Sequence, residues 1–147
     1  MSYTIFTLGY EKRTLNEFVS ILKDASVGLV LDVRETAWSH KRDFCKTRFS
    51  DGLRKKGIDY LHLPEAGNPK KIRKTCKTVE QCLDSYRLYL NRTGSGIDAL
   101  EKLIALSKKE HINICLTCFE RDHLLCHRSI ITDAIVRIPI NCKVVHL

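Results

Sequence analysis

Leu29-Val30-Leu31-Asp32-Val33 is apolar on successive residues instead of alternate ones, and no other stretch narrows the possible folds as much. A strand with one wet face alternates polar and apolar side chains. A short, Leu/Val-rich run that does not alternate predicts a strand covered on both sides by helices, the environment of a parallel sheet. Residues 3–8, 58–63, 112–118 and 142–147 read as further strands, with 58–63 nearer an edge.

The segments between these runs carry helical signals. Thr14-Leu15-Asn16-Glu17 and Thr78-Val79-Glu80-Gln81 have the spacing of capping boxes. Leu15, Phe18, Val19 and Leu22 follow the first, and Val79, Cys82, Leu83, Tyr86 and Leu90 the second, each set on one helical face. Gly94-Ser95-Gly96 turns the chain into a helix holding Ile97, Leu100, Leu103 and Ile104. Leu124, Ile131, Ala134, Ile135 and Ile138 predict a last helix that Pro139 limits, with Cys126, His127 and Arg128 in its first turn. Strands alternating with helices, with no repeat and no dividing linker, predict a single α/β domain over 1–147. Its sheet should be open and mostly parallel, with helices on both faces.

The 147 residues carry a formal net charge of +8, which suggests an acidic partner. Lys70, Lys71, Arg73, Lys74 and Lys77 share a short segment that contains no acid. Lys41, Arg42, Lys46, Arg48, Arg54, Lys55 and Lys56 share another, opposed only by Asp43 and Asp51. A solvated surface explains such runs. Phosphate contacts to DNA or RNA, through Lys41, Arg42, Lys70, Lys71, Arg73 and Lys74, are the sharper explanation. The 7 cysteines are odd in number and no secretory leader precedes them, so reduced thiols in a cytoplasm are expected. No apolar stretch approaches the roughly 20 residues that span a bilayer, so no membrane is expected, and the oligomeric state is left open.

Open parallel sheets bind ligands beyond the carboxyl ends of their strands. Tyr10, Asp32, Arg34, Cys118 and Glu120 all follow such ends, so residues distant in sequence are expected around one crevice. Alternation sends Asp32 and Arg34 to the same face, either as a structural ion pair or to leave Arg34 as a clamp for an anion. Ser39 and Trp38 lie in the loop that follows, where an aromatic beside cations suits a base and its phosphate, although a lone Trp also serves as a packing anchor.

Residues 118–128 concentrate reactive types: Cys118, Glu120, Cys126, His127 and Arg128. Cys118, near a helix start that stabilises thiolates, is the candidate nucleophile. Glu120 is the candidate general acid or base, with pairing to Arg121 or Arg128 as its duller role. His127 would relay a proton or cap the helix, and Arg128 would hold an anion. Cys115 and Cys118 have the spacing of a metal knuckle, and Cys126 and His127 would complete a zinc set. Odd parity puts Cys115 and Cys118 on opposite sides of a strand, so no metal and no cofactor is assigned and Cys115 reads as core. A Cys118–Cys126 disulfide is a further possibility. Cys45, Cys76, Cys82 and Cys142 have no spacing that makes a site, His62 and His111 have no assigned role, and His123 reads as exposed.

Thr7-Leu8-Gly9-Tyr10, Asp32-Val33-Arg34-Glu35, Trp38-Ser39, Gly67-Asn68-Pro69, Cys118-Phe119-Glu120, Cys126-His127-Arg128 and Val144-Val145-His146 recur together in one pattern, and by them the chain resembles the domain-of-unknown-function family 488. The family pattern usually has a proline in the loop after Asp-Val-Arg, where this chain has Ala37. The resemblance implies a small α/β domain of bacterial and archaeal type with its motif residues at one end of a sheet. It places that motif on Asp32, Arg34, Ser39, Cys118, Glu120, Cys126, His127 and Arg128, and it implies no particular reaction.

These readings converge on an enzyme for an anionic substrate, a nucleotide or nucleic acid, with Tyr10, Asp32, Arg34, Ser39 and Arg128 binding and Cys118, Glu120 and His127 reacting. Two alternatives stand beside it. One is a non-catalytic nucleic-acid-binding module; the other is a zinc or redox sensor built on Cys118 and Cys126.

Overall fold

The computed structural model describes residues 3–147. Five strands, β1 (Tyr3–Gly9), β2 (Val27–Asp32), β3 (Asp59–His62), β4 (Asn113–Cys118) and β5 (Cys142–His146), form one sheet in the order β3-β2-β4-β1-β5. Every pairing is parallel, as the unbroken apolar run at β2 predicts. The six helices are α1 (Leu15–Asp24), α2 (Lys46–Arg54), α3 (Lys70–Thr75), α4 (Val79–Thr93), α5 (Ser95–Lys109) and α6 (Arg128–Ile135).

Local signals set most of these boundaries. Thr14 caps α1 by accepting from the Glu17 amide while Glu17 reaches back to the Thr14 amide, a complete capping box. The second box is half formed: Thr78 accepts from the Gln81 amide, but the Gln81 side chain turns to the Lys77 amide instead. Gly94, at φ 71, ends α4 and leads directly into α5. α3 is absent from the sequence reading because it buries no residue and so has no apolar stripe. α6 begins at Arg128, later than predicted, because residues 123–125 form a 3-10 turn and Cys126 is extended behind it.

The core is two layers deep. Phe18, Val19 and Leu22 of α1 and Phe49 and Leu53 of α2 pack on Leu8, Val30 and Cys115. On the other face Tyr86, Leu90, Leu100, Ile104, Ile131 and Ile135 from α4, α5 and α6 pack on Ile5, Leu31, Ile114 and Leu116. Successive residues of β4 therefore serve opposite layers, which is why Cys115 and Cys118 part company as parity requires. Neighbouring β1 and β4 send their onward connections to opposite faces, through α1 and α6. That divergence opens a crevice beyond their carboxyl ends, the switch point of an open α/β sheet. Among the described residues no helix is long and apolar enough to cross a membrane.

Candidate active site

A cavity of about 750 Å³ occupies this switch point, lined from separate loops by Tyr10, Arg34, Trp38, Cys118, Glu120 and His127 among others. The expected convergence of distant strand ends is met. One close approach makes it possible: a Cβ on Gly9 would stand 1.8 Å from the Glu120 carbonyl oxygen, so the loops after β1 and β4 touch only because residue 9 has no side chain.

Asp32 and Arg34 fold back on each other as alternation predicts. Arg34 donates Nε to Oδ1 at 2.8 Å and Nη2 to Oδ2 at 2.6 Å. The Arg34 amide adds a second donor to Oδ1 and the Tyr60 hydroxyl a second to Oδ2, which fills the roughly four acceptor sites of a carboxylate. Asp32 is fully buried and does not line the cavity; it holds Arg34 in place. Arg34 gives Nη1 to the Tyr10 hydroxyl at 3.2 Å, so three of its roughly five N–H groups are committed and two are left at the cavity wall. Burial alone would lower the guanidinium pKa, but the Asp32 hydrogen bonds and charge outweigh it and hold the pKa up. Tyr60 moves up as well, by burial first and then by the neighbouring carboxylate.

Tyr10 stacks on Phe44 with ring centroids 4.4 Å apart, and Phe119 meets it edge-on. Trp38 is not a packing anchor: it is 57 % exposed, touches His40 and lines the cavity. Ser39 lines it too, and its hydroxyl accepts from the Lys41 amide. Lys41 gives its ammonium to the Tyr10 and Arg13 carbonyls, which ties the Trp38 loop to the loop after β1.

On the other side of the crevice, the Cys118 sulfur lies 3.6 Å from Glu120 Oε2. Glu120 makes no ion pair with Arg121 or Arg128; its carbonyl, not its carboxylate, takes Arg128 Nη2 at 2.6 Å. Burial pushes the Glu120 carboxyl upward against its own backbone hydrogen bond and the Arg128 charge. His127 shares Nε2 with the Val33 carbonyl at 2.7 Å, and burial pushes its ring down to about 4. Cys126 is disulfide-bonded to Cys118, the pairing that the sequence left open, and its sulfur lies 3.7 Å from His127 Nδ1.

Arg128 departs from the expected anion clamp. It is 1 % exposed, outside the cavity lining, and gives Nη1 to Thr7 and Nη2 to the Glu120 carbonyl. Its Nε has no partner, and burial lowers its pKa.

The basic segments are also changed by tertiary contacts. Glu35, remote in sequence, accepts from the Lys70 amide and pairs with Arg73 at 3.4 Å, so the acid-free segment has an acid after all. Lys70, Lys71 and Lys74 stay exposed without an ion pair among the described residues, while Arg42 is exposed at a separate 3-10 turn. Cys76 and Cys82, which spacing left without a role, are paired with Cα atoms 5.2 Å apart and line the cavity; Cys45, Cys115 and Cys142 are free. His62 holds the Arg34 carbonyl at 2.7 Å. His123 is half-buried and stacks on His146 at 3.5 Å, since parallel β5 brings its last residues beside β1. His146 reaches Thr7 and not the cavity.

Asn68 is among the lining residues that the sequence reading of the site left out. It lines the cavity and has a buried Oδ1 with no hydrogen-bond partner among the described residues. The available signal was its place between Gly67 and Pro69, where a Cβ on Gly67 would stand 2.3 Å from the Glu35 amide nitrogen.

A family model described as "Domain of unknown function DUF488" matches residues 14–135. No curated protein and no solved structure matches the chain.

Proposed function

The chain belongs to the domain-of-unknown-function family 488, and from that premise we propose that it is a cytoplasmic enzyme acting on an anionic substrate, a nucleotide or nucleic acid, in the crevice at the strand ends. The observation that carries the reading is Arg34: a guanidinium immobilised by Asp32 and Tyr10, with two N–H groups uncommitted, facing the same cavity as Glu120 and Cys118. A charged donor fixed in this way suits a phosphate oxygen.

Each remaining residue has a part fitted to its surroundings. Trp38, exposed at the cavity, stacks the base. Asn68 Oδ1 accepts from an exocyclic or ribose donor, and Ser39 and Tyr10 shape the anion end. Glu120, a cavity-lining carboxylate without an ion pair among the described residues, transfers the proton. Arg128 positions the Glu120 loop through the backbone instead of touching substrate. Lys70, Lys71 and Lys74 extend the electrostatic footprint beyond the cavity, which favours a polynucleotide over a free nucleotide.

The test is a screen of phosphoesters, nucleotides and short oligonucleotides with the wild-type protein and with the Arg34→Lys and Glu120→Gln variants. Arg34→Lys is expected to weaken substrate binding about tenfold or more, the loss of one charge-assisted bond. Glu120→Gln is expected to lower turnover by roughly 10²–10⁴ with binding retained. An activity found in the screen that both variants keep in full would overturn the proposal.

A further inference from the structure

We infer that Cys118, Cys126 and His127 form a zinc site at the base of the crevice, with its fourth coordination position turned toward the cavity. The donor atoms of these three residues lie within 4.8 Å of one another. They come from two elements, the end of β4 and the approach to α6, which meet only in the folded chain. The sequence argument against a metal rested on Cys115, and Cys115 is indeed on the opposite layer; the remaining three need no fourth protein ligand.

The surroundings are those of a metal centre. His127 Nε2 is engaged by the Val33 carbonyl at 2.7 Å; with the proton on Nε2, the Nδ1 lone pair is free toward the sulfurs, the outer-shell arrangement that fixes a ligating imidazole. Cys126 Sγ stands 3.7 Å from that Nδ1, close to the about 3.6 Å between a sulfur and a nitrogen on one tetrahedral zinc. The Arg128 amide points at Cys126 Sγ from 3.4 Å, a donor suited to a thiolate. Consecutive residues can converge here because the backbone passes from extended at Cys126, φ −121, to helical at His127, φ −59.

In the structure Cys118 and Cys126 are joined as a disulfide, so zinc binds the reduced pair. The Cα atoms are 7.7 Å apart, beyond the roughly 4.4–6.8 Å usual for a disulfide. Two thiolates on one zinc sit about 3.8 Å apart, a wider separation that this backbone spacing accommodates once the bond is reduced. Two sulfurs and one imidazole select zinc over magnesium, calcium or manganese. Three protein ligands with an open fourth position are the pattern of a catalytic centre, with a water in that position. Glu120, whose Oε2 lies 3.6 Å from the Cys118 sulfur, is the carboxylate that would take a proton from that water. This last step, unlike the metal site, rests on the crevice being an active site.

Protein purified in reducing buffer without chelator is expected to carry zinc equimolar with the chain. After stripping, Co²⁺ should give the near-ultraviolet charge-transfer absorption of cobalt thiolates. Cys126→Ser and His127→Ala are expected to weaken zinc at least tenfold in competition with a chromogenic chelator, while Cys115→Ala keeps it. Sub-equimolar zinc after reconstitution, or wild-type affinity in Cys126→Ser, overturns the site. If a ligand variant fails to fold, the wild-type cobalt spectrum decides: a thiolate band supports the site and its absence overturns it. Zinc bound by a protein that acts on no anionic substrate would sustain this inference and sink the enzymatic one; substrate turnover by a protein that takes up no zinc on reconstitution would do the reverse.

Discussion

Asp32 and Arg34, two residues apart at the end of β2, meet as parallel forks, with Nε on Oδ1 at 2.8 Å and Nη2 on Oδ2 at 2.6 Å. The side chains are 0 % and 8 % exposed. Removing one partner strands the other charge in a buried site, so Asp32→Ala is expected to destabilise the fold by about 3–5 kcal/mol. Asp32→Asn keeps part of the hydrogen bonding and should cost less. Urea denaturation of both variants checks the order, and equal losses would mean that packing, not charge, dominates at this position.

Gly9 gives the sharpest steric prediction. Its absent Cβ would lie inside the Glu120 backbone, 1.8 Å from the carbonyl oxygen, and that carbonyl is backbone that also takes Arg128. Gly9→Ala therefore has to part the loops after β1 and β4, at about 1–3 kcal/mol or more. Because the displacement is at the crevice, any activity should fall further than stability does. A thermal midpoint within a degree of wild type would contradict the close approach.

Trp38 separates binding from folding. At 57 % exposure, Trp38→Ala should change stability by less than about 0.5 kcal/mol. Base stacking contributes about 1–3 kcal/mol per base, so calorimetry should show a nucleotide weakened by roughly tenfold or more and inorganic phosphate unaffected. Equal losses for both ligands would assign Trp38 to the loop and not to the base.

The length of the substrate can be read from salt. If Lys70, Lys71 and Lys74 each meet a phosphate of a single strand, replacing all three with Gln should reduce the salt slope of binding by about 2. A mononucleotide confined to the cavity should bind identically to both proteins. An unchanged slope on oligonucleotides would confine the substrate to the crevice.

The Cys76–Cys82 pair offers a check on how the cavity wall is held. The two cysteines link the end of α3 to α4, and α3 buries nothing of its own. Reduction, or Cys76→Ser, should leave global unfolding nearly unchanged and raise amide exchange across α3, since little besides the pair and Glu35 fastens it. Unaltered exchange would show that Glu35 suffices.

Much of this was legible in one dimension because the relevant physics is local. The unbroken apolar run at β2 predicts a strand buried on both faces, the Thr14 box starts α1, Gly94 ends α4, and parity separates Cys115 from Cys118. Asp32 and Arg34 pair because they are two residues apart in extended chain at a strand's end, a relation that needs no knowledge of the rest of the chain. The placement of reactive residues at strand ends follows from the same reading.

What the chain decided only by folding concerns contacts between segments far apart in sequence. Arg128 falls where the sequence predicts the first turn of a helix, a place that favours anions; its burial depends on β1 lying beneath it with Thr7. Glu35 pairs with Arg73 of a segment that no local window could show to be opposed. α3 has no apolar period to reveal it. His127 is oriented by a carbonyl 94 positions away, and that bond, invisible to spacing, is what leaves its other nitrogen toward two sulfurs. Periodicity and capping report on a few neighbouring residues, whereas partners for buried charge and for ring nitrogens are chosen by the strand order β3-β2-β4-β1-β5, which sets loops distant in the chain side by side.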